Sequence, residues 1–191
     1  MKINDCQVLL TTTLSRTKNS APESTHINKI AALVLEMARA YESDGISFFA
    51  SGDPVNALAG FYYGFGWLHF GLSSGLLTIT ASPGCPFLEL QEVLQPEYRK
   101  KLEEKACRYA DLLDTALASV KCAPDSATIS HGFAERIFSV AAVYARRGDY
   151  LMKSGLHENA LASFSYGHGW LDAGVTAGFF HILAERDLFT V

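Results

Sequence analysis

Residues 159–178 read NALASFSYGHGWLDAGVTAG, and residues 56–75 read NALAGFYYGFGWLHFGLSSG. A constant shift of 103 positions superposes them. From Asn56/Asn159 to Leu77/Phe180, 12 of 22 positions are identical. The match continues upstream without a gap through Gly52/Gly155, Ser51/Ser154, Gly45/Gly148, Tyr41/Tyr144, Ala38/Ala141 and Ala31/Ala134. A weaker echo joins Leu9, Leu10, Thr12, Leu14 and Lys18 to Leu112, Leu113, Thr115, Leu117 and Lys121. The chain is therefore two tandem copies of one unit. A shift this long means paired units, not a solenoid of many short repeats.

Working outward, each copy reads as three helices. In the first, apolar residues (Val8, Leu9, Leu14) share a face over 5–18. Ser24 stands as an N-cap before a helix over 25–50, where Ile27, Ile30, Val34, Met37, Tyr41 and Phe48 recur at helical spacing. Gly52 ends it. Asp53 and Pro54 then form a cap and first-turn signal for a third helix running to about Leu77. In the second copy the helices fall over 97–120, up to Lys153, and from His157 to about Glu185. No alternating apolar pattern calls for a sheet. Leu76 to Ala81 (LLTITA) reads as a frayed helix end or extended linker. The expectation is an all-α fold, two tandem three-helix units packed as a bundle. The units span 1–82 and 97–191, joined by a proline-rich linker over 83–96 in which Phe87 to Leu94 is a short helix candidate.

The third helix of each copy is unusual. It carries Gly64, Gly66, Gly71 and Gly75, or Gly167, Gly169, Gly174 and Gly178. Each interior glycine costs about 0.8–1 kcal/mol relative to alanine. Gly60, Gly64, Gly71 and Gly75 share one stripe of the helix surface, at about 100° per residue. Such a stripe either admits a neighbouring backbone or opens a slot for a ligand. On another side Ala162, Ser165, Gly169, Ala173 and Thr176 become Ala59, Tyr62, Gly66, Phe70 and Ser73 in copy one. Tyr62 and Phe70 need cover from the other copy or from a partner.

Composition narrows the function classes. The 191 residues are 49% hydrophobic and 19% charged, with a net charge of −4. That is ample for a core and gives no basic footprint for nucleic acid. Residues 57–82 carry no formal charge and are long enough to span a bilayer. The matching stretch carries His168 and Asp172, and no Lys/Arg cluster flanks either copy, so the expectation is a buried helix and no membrane. Cys6, Cys85, Cys107 and Cys122 form no CxxC pair, which fits a reduced, cytoplasmic protein with small buried thiols.

Candidate chemistry concentrates where the copies differ. Phe65 and His69 become His168 and Asp172. The latter two lie four apart on one helix face, a spacing open to a metal, an acid/base pair or a plain structural contact. With Asn159, Tyr166 and Trp170 they make up the candidate ligand site. Asn56 and Asn159 lie in a first helical turn, where an amide satisfies a free backbone N–H or fixes the preceding loop. No phosphate loop, HExxH or nucleophile elbow occurs, so no catalytic residue, metal or cofactor is assigned.

Two resemblances attach to these residues. Tyr144, Gly148, Leu151, Gly155, Ala160, Phe164 and Gly167, and their counterparts Tyr41, Gly45, Phe48, Gly52, Ala57, Phe61 and Gly64, resemble the tetratricopeptide hairpin pattern. The period differs and that family's proline is absent, so a similar hairpin is implied, not an array. Tyr166, His168, Gly169, Trp170, Leu171 and Asp172, followed by Phe179, Phe180, Leu188 and Phe189, resemble the signature of the archaeal domain of unknown function 357 family, over residues 96–191. That resemblance implies a small helical domain and an archaeal cytoplasmic source, and no activity. The leading expectation is a non-enzymatic domain that binds a protein partner or self-associates. The alternative is a small-ligand or metal binder near His168 and Asp172.

Overall fold

The structure, a computed structural model, describes residues 1–80 and 90–190. Among these, six α-helices pack as an all-α bundle: α1 (Ile3–Ser15), α2 (His26–Ala50), α3 (Pro54–Ser73), α4 (Arg99–Ala118), α5 (Ile129–Lys153) and α6 (His157–Thr176). Helices α1 to α3 and α4 to α6 are the two copies. Of the expected linker, 83–89 lies outside the described residues, as does Cys85. Leu90 to Gln95 is irregular, not the end of a helix, and a 3₁₀ turn over Pro96–Tyr98 leads into α4.

The helix starts follow from local chemistry. The side chains of Thr25 and Asp53 accept from the backbone N–H of Asn28 and Asn56. Thr25 is thus the N-cap of α2 where Ser24 was expected; Ser24 takes φ +64° in the turn before it. Thr128 caps α5 in the same way, through the His131 N–H. The buried side of α1 is Ile3, Cys6, Leu10 and Leu14, whereas Val8 faces solvent.

The third helices are shorter than expected. Gly75 (φ +75°) and Gly178 (φ +83°) lie beyond the ends of α3 and α6, in the left-handed conformation that stops a helix. The chain then turns back as a strand. β1 (Thr17–Asn19) pairs antiparallel with β2 (Leu77–Ile79), and β3 (Val120–Cys122) with β4 (Phe180–Ile182). The expectation of no sheet is corrected to this extent. Three residues are too few to show alternation, and the pairing partner of each strand lies some sixty residues away.

Helices α3 and α6 are buried along nearly their whole length and run through the middle of the bundle. They have no polar face because they have no solvent face. No helix among the described residues is long and apolar enough to cross a membrane.

The glycine stripe faces a helix. A Cβ on Gly60 would sit 3.3 Å from the Gly45 backbone and the Tyr41 carbonyl, both of α2. On Gly167 it would sit 3.2 Å from the Ala141 carbonyl of α5. A second close approach joins the copies. A Cβ on Gly66 would lie 2.6 Å from the Tyr166 carbonyl, and one on Gly169 would collide with the Tyr63 carbonyl. Gly66 and Gly169 are equivalent positions in the repeat, so α3 and α6 cross about an approximate two-fold axis.

That crossing also covers the large side chains that set copy one apart. Phe70 is fully buried against Phe133, Trp170 and Phe179 of the second copy. Tyr62 is buried beside Phe65 and receives the Cys6 thiol at 4.0 Å. The cover they need comes from within the chain, so they give no warrant for a partner.

Candidate functional site

The approximate two-fold axis organises the polar groups of the junction. Tyr63 reaches across from α3 and donates to Asp172 Oδ2 at 2.9 Å. Its repeat equivalent, Tyr166, reaches back from α6 to His69, with 3.1 Å between the Tyr166 hydroxyl and His69 Nδ1. Asp172 and His69 are themselves equivalent positions. Behind them, Tyr41 lies on Tyr63 at 4.3 Å between centroids and Tyr144 on Tyr166 at 4.4 Å. The divergent pair Asp172 and His69 are thus the partners of one tyrosine contact made twice.

Asp172 is fully buried. Besides Tyr63 it accepts the Thr190 N–H at 2.9 Å and the Thr190 hydroxyl at 2.7 Å. Three neutral donors hold it, and among the described residues no Lys or Arg forms an ion pair with it. Burial, and then the Asp172 charge, push the Tyr63 phenol well above its ordinary pKa, so it stays protonated and donates.

His168 turns elsewhere. Its Nε2 donates to the Leu188 carbonyl at 3.2 Å, and its ring lies against Tyr63 and Phe189. Burial lowers its pKa, opposed by the Asp172 charge. No hydrogen bond joins His168 to Asp172. His69, in the other half of the junction, is held down to about 4 by burial and is neutral.

The five sequence-predicted residues are not gathered into one pocket. Tyr166, His168, Trp170 and Asp172 lie in the buried junction, with His168 and Asp172 bonded to Leu188 and Thr190. The Trp170 indole packs on Phe70, and among the described residues its buried N–H, like that of Trp67, has no hydrogen-bond partner. Asn159 lies about 14 Å from His168 along the helix axis. There it grips an extended segment far away in sequence: Oδ1 accepts the Leu90 N–H at 2.8 Å and Nδ2 donates to the Leu90 carbonyl at 3.0 Å. Glu158 adds the Leu94 N–H at 2.9 Å. The local role expected for an asparagine here belongs to Asn56 alone, which donates to Asp53 at 2.5 Å. Among the described residues, no three His, Cys, Asp or Glu side chains come together as a metal would need.

Two surface features were not foreseen. One is an apolar cleft of about 430 Å³ lined by Ile27, Ile30, Leu76, Ile129, Phe133 and Phe179, with Ser73, Ser74 and Ala177. Ile30 and Phe133 are equivalent positions, as are Leu76 and Phe179, so both copies build it. Ile129 is 95% exposed and Ile27 56% exposed, although Ile27 follows the same helical spacing as the buried Val34. The other is a cavity of about 440 Å³ against α4, lined by Asn56, Lys101, Glu104, Lys105 and Arg108. Periodicity points to a helix's inner face; it is silent about where that face runs past the end of its neighbour.

A family model described as protein of unknown function (DUF357) matches the chain twice, over residues 7–77 and 108–180. No curated protein and no solved structure matches it.

Proposed function

The chain belongs to this DUF357 family, whose unit it carries in tandem, and on that premise we propose that it works by self-association through the apolar cleft. The observation that carries this reading is Ile129. A 95% exposed isoleucine beside an apolar cleft built by both copies is costly to leave in water. A knob and a hole on one face suit a second copy of the chain. In a two-fold dimer each Ile129 enters the other's cleft, and both faces are satisfied at once. The alternative, a small ligand or metal near His168 and Asp172, requires Leu188 and Thr190 to release both groups first, and no observation favours it.

Light scattering coupled to size exclusion tests the reading. The intact chain is expected as a dimer in the micromolar range, and Ile129→Asp as a monomer with an unchanged melting temperature. A chain that stays monomeric up to about 1 mM has no self-affinity worth the name and overturns it. So does an Ile129→Asp variant that dimerises as well as the parent.

A further inference from the structure

Helix α4 turns three cations toward one open cavity. Lys101, Lys105 and Arg108 line it, with Glu104 beside them and Asn56 of α3 opposite. Their spacing of four and then three places them on one helical face, where like charges repel. The nearby carboxylates already have partners, and for one of them the partner is the cluster's own Lys101. Asp53 takes Lys101 Nζ at 2.6 Å and the Asn56 amide at 2.5 Å. Although burial alone would raise its pKa, these partners hold Asp53 below the ordinary value. Glu104 faces Lys100 at 3.8 Å. Among the described residues, Lys105 and Arg108 make no ion pair. Both lie by the Tyr109 ring, Lys105 Nζ at 4.7 Å from its centroid and the Arg108 guanidinium at 5.8 Å. Burial, followed by the Arg108 charge, lowers the Lys105 ammonium to about 8. Asp53 thus offsets Lys101 and part of the Lys105 charge, and the repulsion between Lys105 and Arg108 is the part left over.

We propose that this cavity binds the phosphate group of a small molecule, with Lys105 and Arg108 as its charge partners and the free N–H of the Asn56 amide as a third donor. Arginine offers a planar fork and lysine a point charge, the combination that suits tetrahedral oxygens. The cavity is several times larger than a phosphate and falls in the range of small-molecule sites, so it has room for the group's carrier. A nucleic acid strand fits poorly: the net charge is −4 and the cations form one cluster, not a track. The site shares no residue with the apolar cleft, so either proposal stands or falls alone.

Calorimetric titration of the intact chain at fixed ionic strength tests it, with inorganic phosphate, ribose 5-phosphate and adenosine monophosphate in separate arms. Saturable one-to-one binding of at least one is expected. If only the esters bind, the carrier is part of the recognition; if inorganic phosphate binds equally well, the group alone is read. Losing one charge-assisted contact weakens binding about tenfold or more, so Arg108→Met and Lys105→Met each lower affinity by that factor. Glu104→Gln removes a rim carboxylate and strengthens binding. Affinity also falls as pH rises past about 8, where Lys105 loses its proton. No saturable binding in any arm overturns the proposal. Affinity unchanged in Arg108→Met overturns it too, and that residue is exposed, so its loss leaves the fold intact.

Discussion

Asp172 shows how a buried carboxylate is held by neutral donors. Its three donors are neutral, and two of them come from one residue, Thr190. Removing the acceptor leaves the Tyr63 hydroxyl buried without it and releases the exposed Thr190 from α6. Asp172→Ala is expected to cost about 2–4 kcal/mol, the range for breaking a buried hydrogen-bond network. Tyr63→Phe removes one donor only and costs about 1 kcal/mol. The double variant then costs less than the sum, with a coupling of about 1 kcal/mol if the 2.9 Å bond is a working contact. Urea unfolding of the four proteins measures this, and strict additivity would show that the two groups do not cooperate. The sequence already marks Asp172 as special, because the constant register exposes it as a departure from His69. Its partner was hidden, since Tyr63 lies 109 residues away in the other copy. The spacing of four correctly puts His168 and Asp172 on one face. Spacing says nothing of where each side chain finds its hydrogen bond, and here they find different ones.

At the scale of the element, the glycines explain both what periodicity reveals and what it conceals. All six helices announce themselves through apolar spacing, the Asp53–Pro54 start and the breaks at Gly52 and Gly155. Their glycine stripe packs a neighbouring helix, one of the two readings open from sequence. What the sequence conceals is which glycines are inside a helix. Gly75 and Gly178 lie beyond the ends of α3 and α6, so they carry no helix-interior penalty and act as stops. Gly66 and Gly169 lie off the stripe and proved to be the crossing point of the two copies. Gly66→Ala gains about 1 kcal/mol in helix propensity. It also forces a methyl to within 2.6 Å of the Tyr166 carbonyl and 2.8 Å of the Trp170 nitrogen. Those are backbone atoms and cannot swing aside, so α3 and α6 must separate. A net loss of about 2 kcal/mol or more is expected, on the scale of core overpacking. Gly132, in an exposed turn of α5, has nothing within 4 Å of its added Cβ. Gly132→Ala should instead gain about 0.5–1 kcal/mol. Thermal unfolding of the pair decides the matter. A harmless Gly66→Ala would mean that the helices do not cross so closely.

The whole molecule is two copies of one unit whose least polar helices have become each other's core. Within the two-unit bundle expected from sequence, each copy could have kept an interior of its own, with a thin seam between them. Instead α3 and α6 are buried by each other as well as by their own partners. Phe70 of copy one is covered by Phe133, Trp170 and Phe179 of copy two. Neither copy can open without exposing the other's central helix, so unfolding must be a single event. The repeat supplies matched reporters, Trp67 in α3 and Trp170 in α6, and the sequence holds no further tryptophan. Trp170→Phe leaves a chain that reports on copy one, and Trp67→Phe one that reports on copy two. Each substitution lowers stability, because both indoles are buried. The test therefore compares probes within each variant. The remaining fluorescence and the far-ultraviolet circular dichroism should give one urea midpoint and one slope, as a two-state transition requires. Helical signal comes from both copies and fluorescence from one, so independent copies would separate the two curves in at least one variant. Coincident curves in both would establish that the duplication made one folding unit, held at the Gly66–Gly169 crossing.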